Sequence, residues 1–299
     1  MLSRMPHTVW RLANGRSITL DRPRIMAILN LTPDSFHGAS RVPSPSAAVE
    51  AARQAVGDGA DALDLGGEST RPGAARVPAE EQIARVVPAV RAIRAAGGPL
   101  ASVPISVDTT RAAVARAALD AGADAVNDVS AGEEDASMLR LVAERGAGVV
   151  LMHRLVPPDL DSYSDRYATE PTYADVVGEV AVFLAGRCRA AAQAGIHPDH
   201  VVLDPGLGFG KTVGQNAELM RGVGRLLALG PPVLCAASRK SFVGRLASPG
   251  VDTTPSERLS GSVALAVQQC LSGVRLFRVH DVREHAEALR AVWGVTAGG

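Results

Sequence analysis

Lysine is nearly missing from this chain: of 31 basic residues, all but Lys211 and Lys240 are arginine. A bias toward arginine codons explains the scarcity, but not why each remaining lysine stands just past an apolar run. An excess of charge of one sign is missing too, with 31 basic residues against 31 acidic ones, so no bulk field draws in nucleic acid or an anionic membrane surface. A small-molecule partner is expected, with no nucleic acid and no membrane. Cysteine is scarce: Cys188, Cys235 and Cys270 are odd in number, widely spaced and set in apolar surroundings, as free thiols in a reducing compartment are. No apolar run approaches the roughly 18 residues of a membrane span, and MLSRMPHTVWRL holds no signal-peptide core. A cytoplasmic location is expected.

What is present is apolar content of 46% over 299 residues, enough for one large barrel or two smaller domains. Eight short apolar runs choose between them: 25–29, 62–65, 104–107, 124–127, 148–152, 201–204, 232–236 and 275–279. Each ends in residues able to do chemistry, namely Asn30, Glu68/Thr70/Arg71, Asp108, Asn127, His153, Asp204, Ser238/Lys240 and Arg278/His280. Amphipathic stretches lie between and after them, near 46–58, 79–96, 111–121, 135–145, 173–194, 215–228, 256–272 and 282–293. Short, uniformly apolar strands alternating with helices predict a parallel sheet covered on both sides, here an α/β fold of the (β/α)8 TIM-barrel type. The eight strand ends then share one mouth. Asn14-Gly15 between two alternating stretches predicts an N-terminal β-hairpin over about 7–22, plugging the bottom of a barrel over about 24–294 in a single domain, 1–299. Gly-Ala-Asp recurs at 59–61 and 122–124, each time between a helix and a strand. The connection from Arg154 to Thr172 is unusually long and holds Tyr163 and Tyr167, an aromatic content that argues for order.

Several chemistries fail on spacing. Gly206 to Thr212 looks like a nucleotide phosphate loop, but Pro205 stands where that motif needs its first glycine. The glycines still imply a close backbone approach. His153, His280, Asp108 and Asp204 could ligate a metal, yet no His-x-His or His-x-x-x-His pair opens the first strand, as metal-dependent barrel hydrolases require. Lys240 could form a Schiff base, but in Ser238-Arg239-Lys240-Ser241 it lies beyond the apolar run, placed to donate to a ligand carbonyl or ring nitrogen. Asp108, Asn127 and Asp204 end the third, fourth and sixth runs, where their side chains can converge on the mouth, and a buried carboxylate needs donors. A heterocycle with a 2-amino-4-oxo edge supplies them side by side, as a pterin does. Arg278 and His280 leave the eighth strand, where barrels bind phosphate, and Arg71 adds a cation beside Pro72.

These residues stand in phrases that resemble the dihydropteroate synthase family over about residues 24–294: Leu29-Asn30-Leu31-Thr32-Pro33-Asp34-Ser35-Phe36, Gly67-Glu68-Ser69-Thr70-Arg71-Pro72-Gly73, Ser106-Val107-Asp108-Thr109, Asn127-Asp128, Met152-His153, Leu203-Asp204-Pro205-Gly206, Ser238-Arg239-Lys240-Ser241 and Arg278-Val279-His280-Asp281. The resemblance implies an enzyme joining 4-aminobenzoate to (7,8-dihydropterin-6-yl)methyl diphosphate. It implies pterin contacts from Asp108, Asn127, Asp204 and Lys240, magnesium on Asn30, and diphosphate contacts from Thr70, Arg278 and His280. It also implies an aminobenzoate site from Phe36, Arg71, Pro72 and Ser241, and a homodimer through late helices. Arg71, Asp108 and Lys240 are the expected catalytic residues.

Three places depart from the family pattern: His37-Gly38-Ala39-Ser40 after Phe36, Arg154-Leu155-Val156 after His153, and Thr110-Arg111-Ala112 after Asp108. Two other functions share these motifs. One is a pterin-binding methyltransferase serving a corrinoid protein, against which the diphosphate-facing residues argue. The other is a pterin binder without catalysis, which the altered first loop permits.

Overall fold

The computed structural model describes residues 9–31 and 44–297. Phe36 and the altered stretch His37–Ser40 lie outside them.

Eight strands run parallel: β3 (Arg24–Asn30), β4 (Ala62–Gly66), β5 (Ile105–Asp108), β6 (Ala125–Asp128), β7 (Gly148–Met152), β8 (Val201–Asp204), β9 (Leu234–Cys235) and β10 (Leu276–Val279). Pairing runs in chain order from β3 to β8, and β10 joins β3 to β9. A parallel bridge between Leu203 and Val233, with the Leu203 N–H donating to Pro232 O at 2.8 Å, brings β9 onto β8 and closes the ring. The fold is the (β/α)8 barrel expected, with the seventh run cut to two residues because proline stands at both 231 and 232.

The strands read as continuous apolar runs because each is buried on both faces. Leu63, Leu65, Ile105, Val107, Val149 and Leu151 point outward into the helix layer. Met26, Ala62, Ala125, Val150, Val202, Leu234 and Leu276 point inward and form the lowest layer of the lumen.

The hairpin closes that layer from below. Its strands β1 (Val9–Arg11) and β2 (Ser17–Thr19) pair antiparallel, with both Asn14 and Gly15 at positive φ, as a tight two-residue turn requires. Trp10, Leu12, Ile18 and Leu20 are buried against the inward layer, and Trp10 Nε1 donates to His200 O at 3.0 Å. Gly148 opens β7 because a Cβ there would lie 2.6 Å from Leu12 Cδ2 and 2.9 Å from Trp10 Nε1. The Gly-Ala-Asp repeat has the same purpose twice: Asp61 accepts from the Ile25 N–H and Asp124 from the Ile105 N–H, each at 2.9 Å, tying the turn to the base of a neighbouring strand.

The helices are α1 (Pro45–Asp58), α2 (Ala79–Ala95), α3 (Pro99–Ser102), α4 (Ala112–Asp120), α5 (Met138–Arg145), α6 (Val176–Gln193), α7 (Val213–Arg221), α8 (Val223–Leu227), α9 (Ser241–Ala247), α10 (Leu259–Leu271) and α11 (Val282–Ala297). The stretch expected as one helix at 215–228 divides at Gly222. The expected helix at 256–272 begins with a 3-10 turn, Ser256–Arg258. Two short helices, α3 and α9, were not expected. The Arg154–Thr172 connection is ordered around another 3-10 turn, Pro158–Leu160. Within it, Tyr167 Oη donates to Asp161 at 2.7 Å, and Arg245 of α9 reaches Asp165 at 2.9 Å.

Candidate active site

Above the apolar layer the inward positions turn polar. Asp64, Asp108, Asn127, Asp204 and Arg278 enter the lumen from β4, β5, β6, β8 and β10, by the alternation that sends Leu63, Leu65 and Val107 outward. Arg278 joins two of the carboxylates, its Nε donating to Asp64 Oδ2 at 2.6 Å and its Nη2 to Asp108 Oδ2 at 2.8 Å. Asn127 Nδ2 donates to the same Asp64 oxygen at 3.0 Å. The remaining oxygen of each carboxylate is buried with no hydrogen-bond partner among the described residues.

Burial pushes the Asp108 carboxyl up to about 7, against the pull of Arg278 and with help from Asp64 and Glu68. Asp204 is raised by burial as well, eased by Lys240 and by the Gly206 N–H that donates to its Oδ1 at 2.7 Å. Burial alone would lower Arg278, but Asp64 and Asp108 carry it upward, so the guanidinium stays charged.

Lys240 closes one side. Its backbone follows Arg239, which sits at φ 60, a left-handed conformation costing roughly 1–2 kcal/mol for a side-chain-bearing residue. That turn is held by Ser262 Oγ, which accepts from the Arg239 N–H at 2.9 Å, and by an ion pair between Arg239 and Asp281. Lys240 Nζ therefore points into the barrel, donating to Leu207 O and standing 4.5 Å from the Phe209 ring centroid. Burial draws its pKa down to about 8, with Asp204 opposing.

His280 lies beside this cluster. Ser238 Oγ accepts from the His280 backbone N–H and meets the ring Nδ1, both at 3.2 Å. Burial, then Arg278, Arg239 and Arg71, hold the ring near 3, so it is a neutral donor at physiological pH. Arg71 is exposed on the loop after β4, with Thr70 and Pro72 half-buried beside it. Asn30 ends β3 in register with Gly66, which is in register with Asp108. Ser241 is buried at the start of α9, facing Asp165.

The loops around the mouth are stapled together. Glu134 binds Arg76, Thr110 and Arg154, and although burial opposes it, these donors pull its pKa down to about 2. Glu68 accepts from the Val77 N–H at 2.6 Å and from Gln82 at 3.2 Å, which makes it a brace inside its own loop. Gly73 N–H donates to Pro158 O at 2.9 Å, so the long tyrosine-bearing connection supports the loop that carries Arg71. A cleft between these loops is lined by Thr70, Arg76, Asp108, Thr110, Val129 and Pro158.

Residues 26–280 match the pterin binding enzyme family. The dihydropteroate synthase of Mycobacterium leprae is 42% identical over 272 residues, which span 90% of this chain and 92% of that protein. The chain belongs to the dihydropteroate synthase family of pterin-binding enzymes. The Escherichia coli K12 dihydropteroate synthase is 40% identical over 280 residues, 94% of either chain. A structure of the Xanthomonas albilineans dihydropteroate synthase with 4-aminobenzoic acid superposes with a TM-score of 0.85 at 42% identity, covering 97% of this chain and 99% of that one. Another, in complex with 7,8-dihydropteroate, gives 0.81 at 39% identity over 96% and 99%.

Within this family member, Asp108, Asn127, Asp204, Lys240 and Arg278 come together in one lumen. Arg278, which the resemblance sets apart from the other four, has its guanidinium among the carboxylates, paired with Asp64 and Asp108. Two lumen-side groups received no expected contact. Asp64 stands at an inward position of an apolar run, and that parity was its only signal. Lys211 is fully buried beneath the glycine-rich turn, signalled only by the rarity of lysine.

Proposed function

We propose that this chain is a transferase of folate biosynthesis. It would join 4-aminobenzoate to (7,8-dihydropterin-6-yl)methyl diphosphate, giving 7,8-dihydropteroate and diphosphate. The observation that carries the proposal is the set of lumen residues Asp108, Asn127, Asp204, Lys240 and Arg278, the first three buried and the last two half-buried, which bring acceptors and donors together above the apolar layer. A pterin edge matches them: its amino and ring N–H groups suit Asp204, its carbonyl suits Lys240 Nζ, and Asp108 and Asn127 complete the ring contacts.

The C–O bond at the pterin methylene breaks with its electron pair leaving on diphosphate. The aminobenzoate nitrogen supplies the new C–N bond and then loses a proton to solvent. Positive charge that develops on the ring would face Asp108 and Asp204, while Thr70, Arg278 and His280 would receive the leaving anion. Arg71, Pro72 and Ser241 would line the arylamine site with Phe36. Asn30 is the proposed magnesium ligand. Its carboxamide is a hard oxygen donor at the mouth, which fits a magnesium ion held mainly by substrate phosphate oxygens and water. When bound there, magnesium would offset the charge of the leaving diphosphate.

The deciding measurement is diphosphate release. Release should require both substrates and stop when EDTA removes magnesium. Methyl transfer to a corrinoid without diphosphate release, or pterin binding with no turnover, would overturn the proposal.

The titrating groups set an expected pH profile. Below about 7 Asp108 takes up a proton and loses its acceptor charge, and above about 8 Lys240 loses the proton it donates. Accordingly kcat/KM for the pterin substrate should be bell-shaped, with apparent limbs near those values. Lys240→Arg should erase the alkaline limb, and an unchanged limb in that variant would remove Lys240 from the role.

The proposal extends to a cytoplasmic homodimer. Among the described residues no helix is long and apolar enough to cross a membrane, and the three cysteines are free. Leu271 of α10 and Val295 of α11 expose apolar side chains on the late helices. Light scattering at a dimer mass would support this, and a monomer mass would refute it.

A further inference from the structure

Among the described residues Lys211 has no carboxylate within hydrogen-bond reach. Its side chain is fully buried, and Nζ lies 2.8 Å from Phe209 O, 3.0 Å from Gly206 O, 3.0 Å from His153 Nδ1 and 3.5 Å from His153 O. Burial draws the Lys211 pKa down to about 7, with Asp204 opposing, and in the ammonium form its three protons serve two turn carbonyls and an imidazole lone pair. An ammonium has no lone pair, so Nδ1 is the acceptor in that form. Burial and then Lys211 itself push the His153 pKa down to about 3, and the ring packs edge-on against Phe183 at 4.9 Å between centroids.

Gly206 to Gly210 wraps around this ammonium, and its amides are used one by one. Gly206 N–H donates to Asp204 Oδ1, Gly208 N–H to Asn216 Oδ1 at 2.7 Å, Phe209 N–H to Gly206 O at 3.0 Å and Gly210 N–H to Asp161 Oδ2 at 2.8 Å. Gly206 sits at φ +68, and a Cβ there would fall 1.8 Å from His153 O, so only glycine lets the turn close this tightly. From the turn project Leu207 O, which accepts from Lys240, and the Phe209 ring that Lys240 faces.

We propose that Lys211 and His153 are a positioning pair for the pterin site, holding the Gly206–Gly210 turn so that Asp204, Phe209 and Lys240 meet the ring in one arrangement. This rests on the pterin-binding reading above. An apolar side chain of the same length would fill the space but leave Phe209 O buried and unpaired and take one of the two donors from Gly206 O. The turn would then open toward water, taking Phe209 and the amide that orients Asp204 with it. Neither Lys211 nor His153 touches the substrate in this arrangement, and both act through the turn.

The test uses Lys211→Met, His153→Leu and His153→Asn in the full chain. Free pterin, followed by its own fluorescence, is the probe, with KM for 4-aminobenzoate and thermal midpoints measured in parallel. Losing one hydrogen bond to a charged group, about 1.5–3 kcal/mol, predicts roughly a tenfold or greater loss of pterin affinity in Lys211→Met and His153→Leu. KM for 4-aminobenzoate should change by less than about twofold. Asparagine places an acceptor where Nδ1 stood, so His153→Asn should recover near-native affinity. If Lys211→Met does not fold, the two His153 variants decide. Unaltered pterin affinity in folded His153→Leu, equal losses for both substrates, or no recovery in His153→Asn would overturn the pair. Failure of the unmodified protein to bind pterin would instead refute the pterin-binding reading itself.

Discussion

Asp204→Asn should lower kcat/KM for the pterin diphosphate by about 10²–10³, while KM for 4-aminobenzoate moves by less than about threefold. The asymmetry follows from the Gly206 N–H, which donates to Asp204 Oδ1 and requires an acceptor there. The asparagine carbonyl must stay against that amide, so its NH2 turns toward the pterin's own N–H groups and donor meets donor. One charge-assisted bond is lost and another group is left unpaired, together roughly 3–4 kcal/mol. Steady-state kinetics with each substrate varied in turn will show the split. Equal losses in both would mean that Asp204 supports the barrel and does not face the pterin.

Arg278→Met should be the most destabilising single change at the site. Asp64 is wholly buried and Asp108 nearly so, and one guanidinium holds both. Removing one member of a buried ion pair leaves an uncompensated charge and costs about 3–5 kcal/mol. Urea denaturation should register that loss, and Arg278→Met/Asp64→Asn should regain part of it by neutralising one orphaned carboxylate. A single variant within about 1 kcal/mol of the parent, as an ordinary surface substitution would be, would show that the lumen neutralises its charges another way. Activity should be lost in either variant, because the guanidinium is also proposed to receive the leaving diphosphate.

The strands were legible because two-sided burial writes them as unbroken apolar runs, and the hairpin because Asn14-Gly15 allows little else. The seventh strand and α9 were less so. Pro231 and Pro232 shorten the first, and the second begins inside Ser238-Arg239-Lys240-Ser241, where the left-handed Arg239 turns a stretch that reads as loop into a helix start. Lumen residues could be picked out by chemical type, but their partners could not. Nothing in linear order says that Arg278 and Asp64, more than 200 positions apart, form one ion pair. Nor does it say that Lys211 turns away from the mouth into a ring of carbonyls, because a glycine-rich turn can direct a side chain to either side. His153, which had no expected partner, found one only when β7 and the loop after β8 were brought together.

The hairpin under the barrel has a consequence for traffic. Trp10, Leu12, Ile18 and Leu20 pack under the lowest apolar layer of the lumen, so among the described residues the polar groups above that layer face the mouth. A pterin held by Asp204 and Lys240 as proposed would be the first in and the last out. An arylamine held above it by groups at the rim, as proposed, would block its entry if it arrived early. Turnover would thus run as a queue: pterin diphosphate before aminobenzoate, and diphosphate away past Arg71 before the joined product can back out.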